Sequence, residues 1–550
     1  MNRTGRSATL LSFLLICALS TSALANVPSD DVTYQPPSPP EGGISVWFSD
    51  ANYLNRAPTQ LIGVDKKGGS NLCSTIASGE CAEMESVNYS AQLPQCRNAD
   101  SLDCVKELFA TDGAGKRIDA TFLRQVPSTV ANPYTADLTK GLVAGEASTV
   151  WRLPGVSPIT DEFAVVSFKT ADARKDGATG RLGNFGFGEL QIAIYPVVKL
   201  SNPGYKVNKV FTRDINGDGI KDYDLVYDSQ VPTIGCALVD NGECYMRKSF
   251  PDGYTFGATV RLSQSPLGWV HGRMKDPTVS LKKVGSAFEL GVIAGAVDVP
   301  ELGGSATANQ IVPGLLMRND RVGGVAAPSP SGDESIRVMR LWLGILGDKA
   351  VALPRQWFFR TLKTSELQGA DQCIANYQGL AGFVTTNSTT YSAGPPVFNK
   401  STQSLDYQVA APHLQPDGKT VFKGTYSLVM RTDVARCIYK FSNAPIKATV
   451  SIVKDASEEL AVATEAIQDK DGWFSLSANG FTFSSPTLRV KLSQDQPITA
   501  APEPSKSNSS SATVPAAKSP ARTTITCKKG KLTRKVSGTA PKCPAGFKRA

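Results

Sequence analysis

The sequence predicts a mostly β, multidomain protein with an immunoglobulin-like β-sandwich near the C-terminus and one isolated helix. Only 19% of the residues are charged, and the chain contains 48 Gly and 35 Pro, a composition typical of turn-rich β proteins. Short segments rich in Val, Thr and Ser alternate in polarity between turns, which favours strands. At 550 residues the chain is also too long for a single core.

The N-terminus has the pattern of a secretory signal peptide. Arg3 and Arg6 precede an apolar stretch from Ala8 to Leu19, and Ala23-Leu24-Ala25 forms a cleavage site, so residues 1–25 are expected to be removed. A membrane anchor is the alternative, but the apolar stretch is shorter than the roughly 20 residues that a span needs. We therefore expect a secreted protein, extracellular or cell-wall associated, with no transmembrane segment.

Cysteine spacing predicts disulfides. Without Cys17 of the signal peptide, ten of the 11 cysteines remain, an even number. Three pairs enclose seven residues each, and local disulfides are the simplest pairing: Cys73–Cys81, Cys96–Cys104 and Cys236–Cys244. A nested pairing, Cys73–Cys104 around Cys81–Cys96, stays open. Two longer pairs are expected, Cys373–Cys437 and Cys527–Cys543. The short C-x₂₋₄-C spacing of structural zinc sites is absent.

Composition shifts divide the chain into segments. They are the signal peptide (1–25), a Pro-rich lead-in (26–43), an N-terminal β region of one or two domains (44–300), a linker (301–332), a helix and connection (333–363), a β-sandwich-like domain (364–498), a Pro/Ala/Ser linker (499–523) and a basic disulfide-closed tail module (524–550). Within 364–498, seven or eight short strands and one long-range cysteine pair favour the immunoglobulin-like sandwich.

One helix is predicted after residue 330. Ser331 and Glu334 have the spacing of a capping box, and Gly347 is a plausible C-terminal stop. Between them an apolar stripe recurs at helical spacing, formed by Val338, Leu341, Trp342 and Ile345. We interpret this stripe as packing rather than as a binding surface.

Residues 214–222 have the pattern of a calcium loop. Asp214, Asn216, Asp218 and Asp222 stand at positions 1, 3, 5 and 9, and the carbonyl of Ile220 supplies position 7. Gly219 occupies position 6, where such a loop turns sharply. The sequence therefore predicts a structural calcium ion as the cofactor, with Asp214, Asn216, Asp218, Ile220 and Asp222 as its ligands.

The flanks of this loop distinguish it from an EF-hand. Position 12 is Leu225 instead of the bidentate Glu, and the flanking segments have strand-like sequences. The loop is therefore similar to calcium-binding hairpins of extracellular β proteins, with Asp224 or Asp228 available to complete the ligand set. The alternative is an acidic Asn-Gly and Asp-Gly turn without a metal.

The positive charge is concentrated at the C-terminus. Residues 503–550 contain 11 Lys and Arg and one acid, so they carry +10 while the whole chain carries +9. Because two further arginines lie in the signal peptide, residues 26–502 carry −3. We expect the tail to bind anionic cell-envelope polymers, since nucleic acid is seldom the main partner of a secreted protein. The sequence does not indicate an oligomeric state.

The residues do not specify a reaction. There are two histidines, His271 and His413, too few for a three-histidine zinc site, and each is interpreted as a turn or surface residue. The G-x-S-x-G, HExxH, Walker A and GxGxxG motifs are absent. The sequence favours a non-enzymatic structural, adhesive or binding protein. The alternative is an extracellular hydrolase that acts on polysaccharide or peptidoglycan through paired carboxylates.

Two parts of the chain resemble known bacterial sequences. The tail, TITCKKGKLTRKV…PKCPAGFK, resembles a basic two-cysteine module that recurs at the C-terminus of secreted actinobacterial proteins. The segments RCIYKFSNAPIKATVSIV and GWVHGRMKDP resemble parts of an uncharacterised exported family from the same bacteria. The resemblance implies a bacterial exterior and no catalytic residue.

Overall fold

A computed structural model describes most of the chain. The described residues are 34–50, 58–77, 79–317, 320–442, 446–454, 458–462, 468–483, 487–494, 523–529, 532–538, 542–543 and 547–549. The predicted signal peptide and nearly all of the predicted 499–523 linker lie outside these residues. The chain forms two compact units, Met1–Asp495 and Gln496–Ala550, which are described separately.

Strands dominate both units. In the first half of the chain they are β1 (Ile44–Phe48), β2 (Gln60–Val64), β3 (Ser70–Leu72), β4 (Ser86–Gln92), β5 (Cys104–Asp112), β6 (Arg117–Asp119), β7 (Thr121–Val126), β8 (Ser148–Arg152), β9 (Glu162–Arg174), β10 (Glu189–Ser201), β11 (Lys209–Arg213), β12 (Asp222–Val226), β13 (Cys236–Asp240), β14 (Glu243–Arg247), β15 (Tyr254–Leu262), β16 (Gly268–Arg273), β17 (Lys275–Val284) and β18 (Ala287–Gly295). In the second half they are β19 (Val297–Asp298), β20 (Leu302–Ala306), β21 (Val325–Ala326), β22 (Arg355–Thr361), β23 (Leu380–Thr386), β24 (Thr390–Tyr391), β25 (Val397–Asn399), β26 (Ser404–Ala410), β27 (Lys423–Arg431), β28 (Ile446–Lys454), β29 (Glu458–Val462), β30 (Gln468–Lys470), β31 (Trp473–Thr482), β32 (Thr487–Gln494), β33 (Thr523–Lys529), β34 (Leu532–Gly538) and β35 (Lys548–Arg549). The expectation of a mostly β protein is confirmed.

Helices are few. They are α1 (Gly79–Ala82), α2 (Asp333–Leu346), α3 (Gln372–Ala375) and α4 (Thr432–Tyr439), together with the 3-10 helices Ala308–Gln310 and Thr364–Leu367. The predicted helix is α2, and Gly347 ends it in the left-handed conformation at φ 85°. The predicted capping box does not form, because Gly332 is the N-cap and makes no side-chain cap hydrogen bond.

A sixteen-stranded sheet runs through the larger unit. Its main order is β3-β2-β4-β9-β10-β22-β16-β23-β27-β31-β30, with β7, β8, β13, β14 and β19 attached beside this path. Strand β16 pairs in parallel with β23 and antiparallel with β22. Neighbouring strands in the middle of the sheet therefore come from distant parts of the sequence.

A five-stranded sheet, β17-β18-β15-β5-β6, shares the largest core with this central sheet. The five-stranded sheet contributes apolar residues such as Leu108 and Phe256, and the central sheet contributes Phe163, Ile192 and Trp357, all essentially inaccessible to solvent. Because successive side chains of a strand point to opposite faces of the sheet, every second side chain of each strand packs in this core.

The C-terminal part of the larger unit has a second pair of layers. A six-stranded sheet contains β24, β25, β26, β28, β29 and β32, while β23, β27, β30 and β31 extend the central sheet. Their apolar residues, including Tyr426, Leu428 and Val490, form a second core. This arrangement is β-sandwich-like, as predicted. However, Cys373 and Cys437 lie in α3 and α4 rather than in two facing strands.

The segment boundaries in the structure differ from the predicted ones. Ranges 44–300 and 364–498, predicted as separate domains, contribute strands to the same sheet. The predicted linker 301–332 supplies β20 and β21, which pair with β1 on either side. Helix α2 covers these strands through buried Val338, Met339 and Trp342. Gly and Ala in this range allow close packing, so a composition that resembles a linker instead forms part of a core.

The disulfides follow the predicted local pattern. Cys73–Cys81, Cys96–Cys104, Cys236–Cys244 and Cys373–Cys437 are bonded, with Cα–Cα distances between 5.0 and 5.9 Å. The nested alternative is therefore wrong. Cys543 is also disulfide-bonded. Its predicted partner, Cys527, has a side chain outside the described part of the tail.

The tail unit is a small sheet with the order β34-β33-β35. β33 and β34 form an antiparallel hairpin in which Cys527 stands opposite Arg534. Ile525 is buried, whereas Lys528, Lys542, Lys548 and Arg549 are exposed. The described part of the tail thus combines a strand framework with exposed cationic side chains.

Candidate functional site

The predicted calcium loop joins β11 to β12. These two strands form their own antiparallel hairpin, in which Arg213 stands opposite Asp222. The hairpin contacts β3, where the Ser70 N–H donates to the carbonyl of Lys221 at 2.6 Å. Because Gly217 and Gly219 have φ values of 79° and 83°, the backbone turns twice within a few residues. The structure thus brings all five predicted ligand residues into one hairpin connection.

Hydrogen bonds fix the acidic side chains within the loop. The Asp214 carboxylate accepts from the N–H groups of Gly217 and Gly219, at 2.6 and 2.8 Å. These hydrogen bonds lower the pKa of Asp214, and the bond from Gly219 has the largest effect. The Asp218 carboxylate accepts from Ile220 at 2.8 Å. Two oxygen-bearing side chains are therefore held in place at positions 1 and 5 of the loop.

The two residues expected to complete the ligand set have other partners. Asp224 forms an ion pair with Arg213 at 2.5 Å, and Asp228 forms one with Lys209 at 3.4 Å. In the part of the chain that is described, no three His, Cys, Asp or Glu side chains are grouped as a metal site. A calcium ion would therefore depend on the Asn216 and Ile220 oxygens and on water as well as on the loop carboxylates.

A recess of about 280 Å³ opens beside the central sheet. Its walls are mainly apolar and include Val126, Pro127, Val166, Phe168 and Leu238. Glu146 also lines it, and its carboxylate accepts from Arg97 at 2.6 Å and from Gln125 at 2.9 Å. The recess can accommodate a small apolar group beside one carboxylate that is already hydrogen-bonded.

An ionic cluster is buried in the centre of the larger unit. The Arg273 guanidinium donates to Asp50 at 2.7 Å and to the carbonyls of Thr386, Ser388 and Thr389. The guanidinium lies 4.4 Å above the Tyr391 ring. The side chains of Arg273 and Asp50 are 1% and 3% exposed, so this cluster is closed to solvent. Its geometry suits a fixed structural connection between β16 and the segment after β1.

A second buried carboxyl lies close to this cluster. Glu301 accepts hydrogen bonds from the Trp47 indole at 3.2 Å and from the Ser49 hydroxyl. Both bonds favour the ionised form, but burial outweighs them and raises the pKa of Glu301 to about 7. Glu301 consequently titrates near neutral pH.

The structure corrects the expectation for one histidine. His271 is fully buried in β16, where its Nε2 donates to the carbonyl of Gly394 at 3.1 Å. Burial, together with the positive charge of Arg360, lowers its pKa to about 3. Tyr391 contacts the ring edge to face at 5.0 Å between centroids. His271 is therefore a neutral core residue and not a surface residue.

Arg273, Glu301 and the buried Lys169 of β9 were not predicted as site residues from the sequence. For Arg273 and Lys169 the available signal was a charged residue at an inward position of an otherwise apolar strand, as in GWVHGR and EFAVVSFK. Period-two alternation places Lys169 on the same side of β9 as Phe163 and Val165.

Comparisons with known proteins do not assign the chain to a family. No protein-family model matches it, and no curated protein sequence matches it significantly. Among the described residues, no helix has the length and apolar character needed to cross a membrane.

Proposed function

We propose that the protein is a secreted or cell-surface protein without enzymatic activity, with a structural, adhesive or binding role at the cell envelope. The four disulfides of the larger unit are typical of an oxidising compartment. The predicted signal peptide and the resemblance to exported actinobacterial sequences support the same location. Burial of Arg273, His271 and Glu301 supports a structural role for these residues.

The basic tail is the observation that carries the proposal. It forms a compact unit distinct from the larger one, and residues 503–550 carry +10 while residues 26–502 carry −3. Lys528, Lys542, Lys548 and Arg549 are exposed. Such a unit would bind anionic polymers of the envelope through many weak contacts, each screened over about 8 Å at physiological salt.

The test compares the full chain with a matched pair of charge variants on purified Gram-positive cell walls. In the tail variant, Gln replaces Lys528, Lys529, Lys531, Arg534 and Lys535. In the control, Gln replaces the same number of exposed basic residues in the larger unit, namely Lys66, Lys67, Lys116, Lys282 and Lys283.

The tail variant should bind more than tenfold more weakly, because each basic side chain near an anionic surface contributes about 1 kcal/mol. The control should bind as the wild type does, and wild-type binding should fall steeply as salt rises. If both variants bound equally well, or if wild-type binding did not change with salt concentration, electrostatic binding through the tail would be refuted.

Calcium stabilisation is part of the same proposal. Asp214, Asn216, Asp218, the Ile220 carbonyl and Asp222 would bind the ion, which would stabilise the hairpin on β3. The hydrogen-bonded carboxylates of Asp214 and Asp218 support this. The ion would have a structural role, because the loop connects the two strands of a hairpin that contacts β3.

We do not propose the hydrolase as a second function. Paired carboxylates at a glycosidic bond stand about 5–10 Å apart and face one cleft. Glu146 is the one carboxylate among the described residues that line the recess, and Arg97 and Gln125 already bind it.

A further inference from the structure

Lys169 is a lysine placed in a protein core. It lies in the middle of β9, where its backbone pairs with Leu190 on one side and Ala91 on the other. Its side chain is 0% exposed. Lysine is almost never fully buried without a partner, because its charged form loses its hydration.

The partner is Asp103, whose side chain is 3% exposed. The Lys169 Nζ lies 3.2 Å from Asp103 Oδ1 and 3.3 Å from the amide oxygen of Gln264. Asp103 directly precedes Cys104, which is bonded to Cys96, and its backbone is held at φ 51°. A nucleophilic nitrogen and a carboxyl group are thus held next to each other by the fold.

The surroundings are apolar and aromatic. Tyr89, Tyr134 and Phe185 belong to the adjoining core, and the Phe187 ring centroid is 5.4 Å from the Lys169 nitrogen. Among the described residues, Asp103 Oδ2 and the hydroxyls of Tyr89 and Tyr134 have no hydrogen-bond partner. Burial raises the pKa of both tyrosines.

Burial at this position disfavours the charged form of the lysine. Burial lowers the pKa of Lys169, and the attraction of Asp103 opposes that effect only in part. Transfer of one proton from the ammonium group to the carboxylate leaves an amine and a carboxylic acid, which removes both buried charges. The neutral amine is a nucleophile, and the neutral acid is the more electrophilic form of the carboxyl group.

We propose that Lys169 and Asp103 form an intramolecular isopeptide bond. The Nζ lone pair attacks Cγ of Asp103, and a C–N bond forms. The C–O bond to the acid hydroxyl then breaks, and that hydroxyl leaves as water with a proton from the nitrogen. In total, an amine and a carboxylic acid react to give an amide and water. The reaction needs no oxidant or other co-reactant. The Gln264 oxygen accepts from the Lys169 nitrogen and orients it.

The bond would join the central sheet to the five-stranded sheet that packs against it. Lys169 belongs to the central sheet, while Asp103 leads directly into β5 of the five-stranded sheet. The link would be covalent across the largest core and, unlike the four disulfides, insensitive to reducing agents. This inference does not rest on the proposed function of the tail.

The test is mass spectrometry of the reduced, alkylated and denatured full chain. After correction for the mass difference between lysine and arginine, the wild-type chain should be lighter than the Lys169→Arg variant by the mass of one water molecule. Trypsin should release a branched peptide in which residues 98–106 are joined to residues 153–174, with no cleavage after Lys169. An Asp103→Asn variant should form the same amide by releasing ammonia, and Asp103→Ala should form none.

Solvated ion pairs in the same digest provide the internal control. Lys199 and Glu243 are also close, at 3.0 Å, but 45% and 33% exposed, so they should remain unlinked. A wild-type chain of full mass that trypsin cleaves after Lys169 would overturn the proposal. A missing water that maps to any other residue would overturn it as well. Because wild-type protein alone decides the question, a variant that fails to fold does not affect the test.

Discussion

Glu301 should make the stability of this protein decrease as pH rises towards neutrality. Its side chain is buried against Trp47 and Ser49, and burial raises its pKa from 4.5 to about 7. The folded state therefore holds a proton that the unfolded state has already released between these pH values. By linkage, the contribution of Glu301 is fully present below about pH 4.5 and is lost as pH rises through about 7.

The size of the effect follows from the two pKa values. At about 1.36 kcal/mol for each pKa unit, the full loss is about 3 kcal/mol, of which about 2.5 kcal/mol falls between about pH 5 and pH 8. Glu301→Gln keeps the shape of the side chain and stays neutral. Urea unfolding followed by tryptophan fluorescence should therefore show a smaller decrease in stability over this range for the variant than for the wild type.

A matched control separates this residue from other titrating groups. Glu83 is 85% exposed, so Glu83→Gln should leave the pH dependence unchanged. If Glu301→Gln lost as much stability between pH 5 and pH 8 as the wild type, the reasoning about its buried carboxyl would be refuted.

Three further outcomes are expected. Arg273→Met should lower the free energy of unfolding of the larger unit, measured in urea, by about 3–5 kcal/mol, because it leaves the Asp50 carboxylate buried without its cation. A loss under about 1 kcal/mol would show that the cluster is not a close-packed unit. Trp342→Ala should lower the free energy of unfolding by about 3–5 kcal/mol, because Trp342 is buried. Leu341 is half-buried, so Leu341→Ala should lower it clearly less. Equal losses for the two variants would contradict the observed orientation of α2. Removing calcium with a chelator should lower the melting temperature, and Asp218→Ala should abolish that difference. A melting temperature that is the same with and without millimolar calcium would exclude the ion.

Local features of this fold could be predicted from the sequence, because local physics determines them. Seven-residue cysteine spacings predicted three disulfides, and Gly347 marked the end of α2. Helix α4 was not expected, since Thr432–Tyr439 is short and continues directly from a strand. The pairing of β10 with β22 has no sequence signal, because partners so far apart are selected by packing.

The candidate sites divide in the same way. The loop at 214–222 is contiguous, so its residues could be named from spacing alone. Arg273, Asp50 and Glu301 come together from distant segments, and each has an ordinary local sequence. Their role depends on burial, which only the assembled sheets create.

In the strand order of the central sheet, strands from the first and second halves of the larger unit are interleaved. Strand β16 lies between β22 and β23, so the N-terminal part of the sheet is completed by residues synthesised about a hundred positions later. A fragment ending near residue 300 would leave β10 and β16 with open edges, which invite pairing with other chains. Expression of either half is therefore a route to aggregates, and truncated versions should keep residues 34–494 intact.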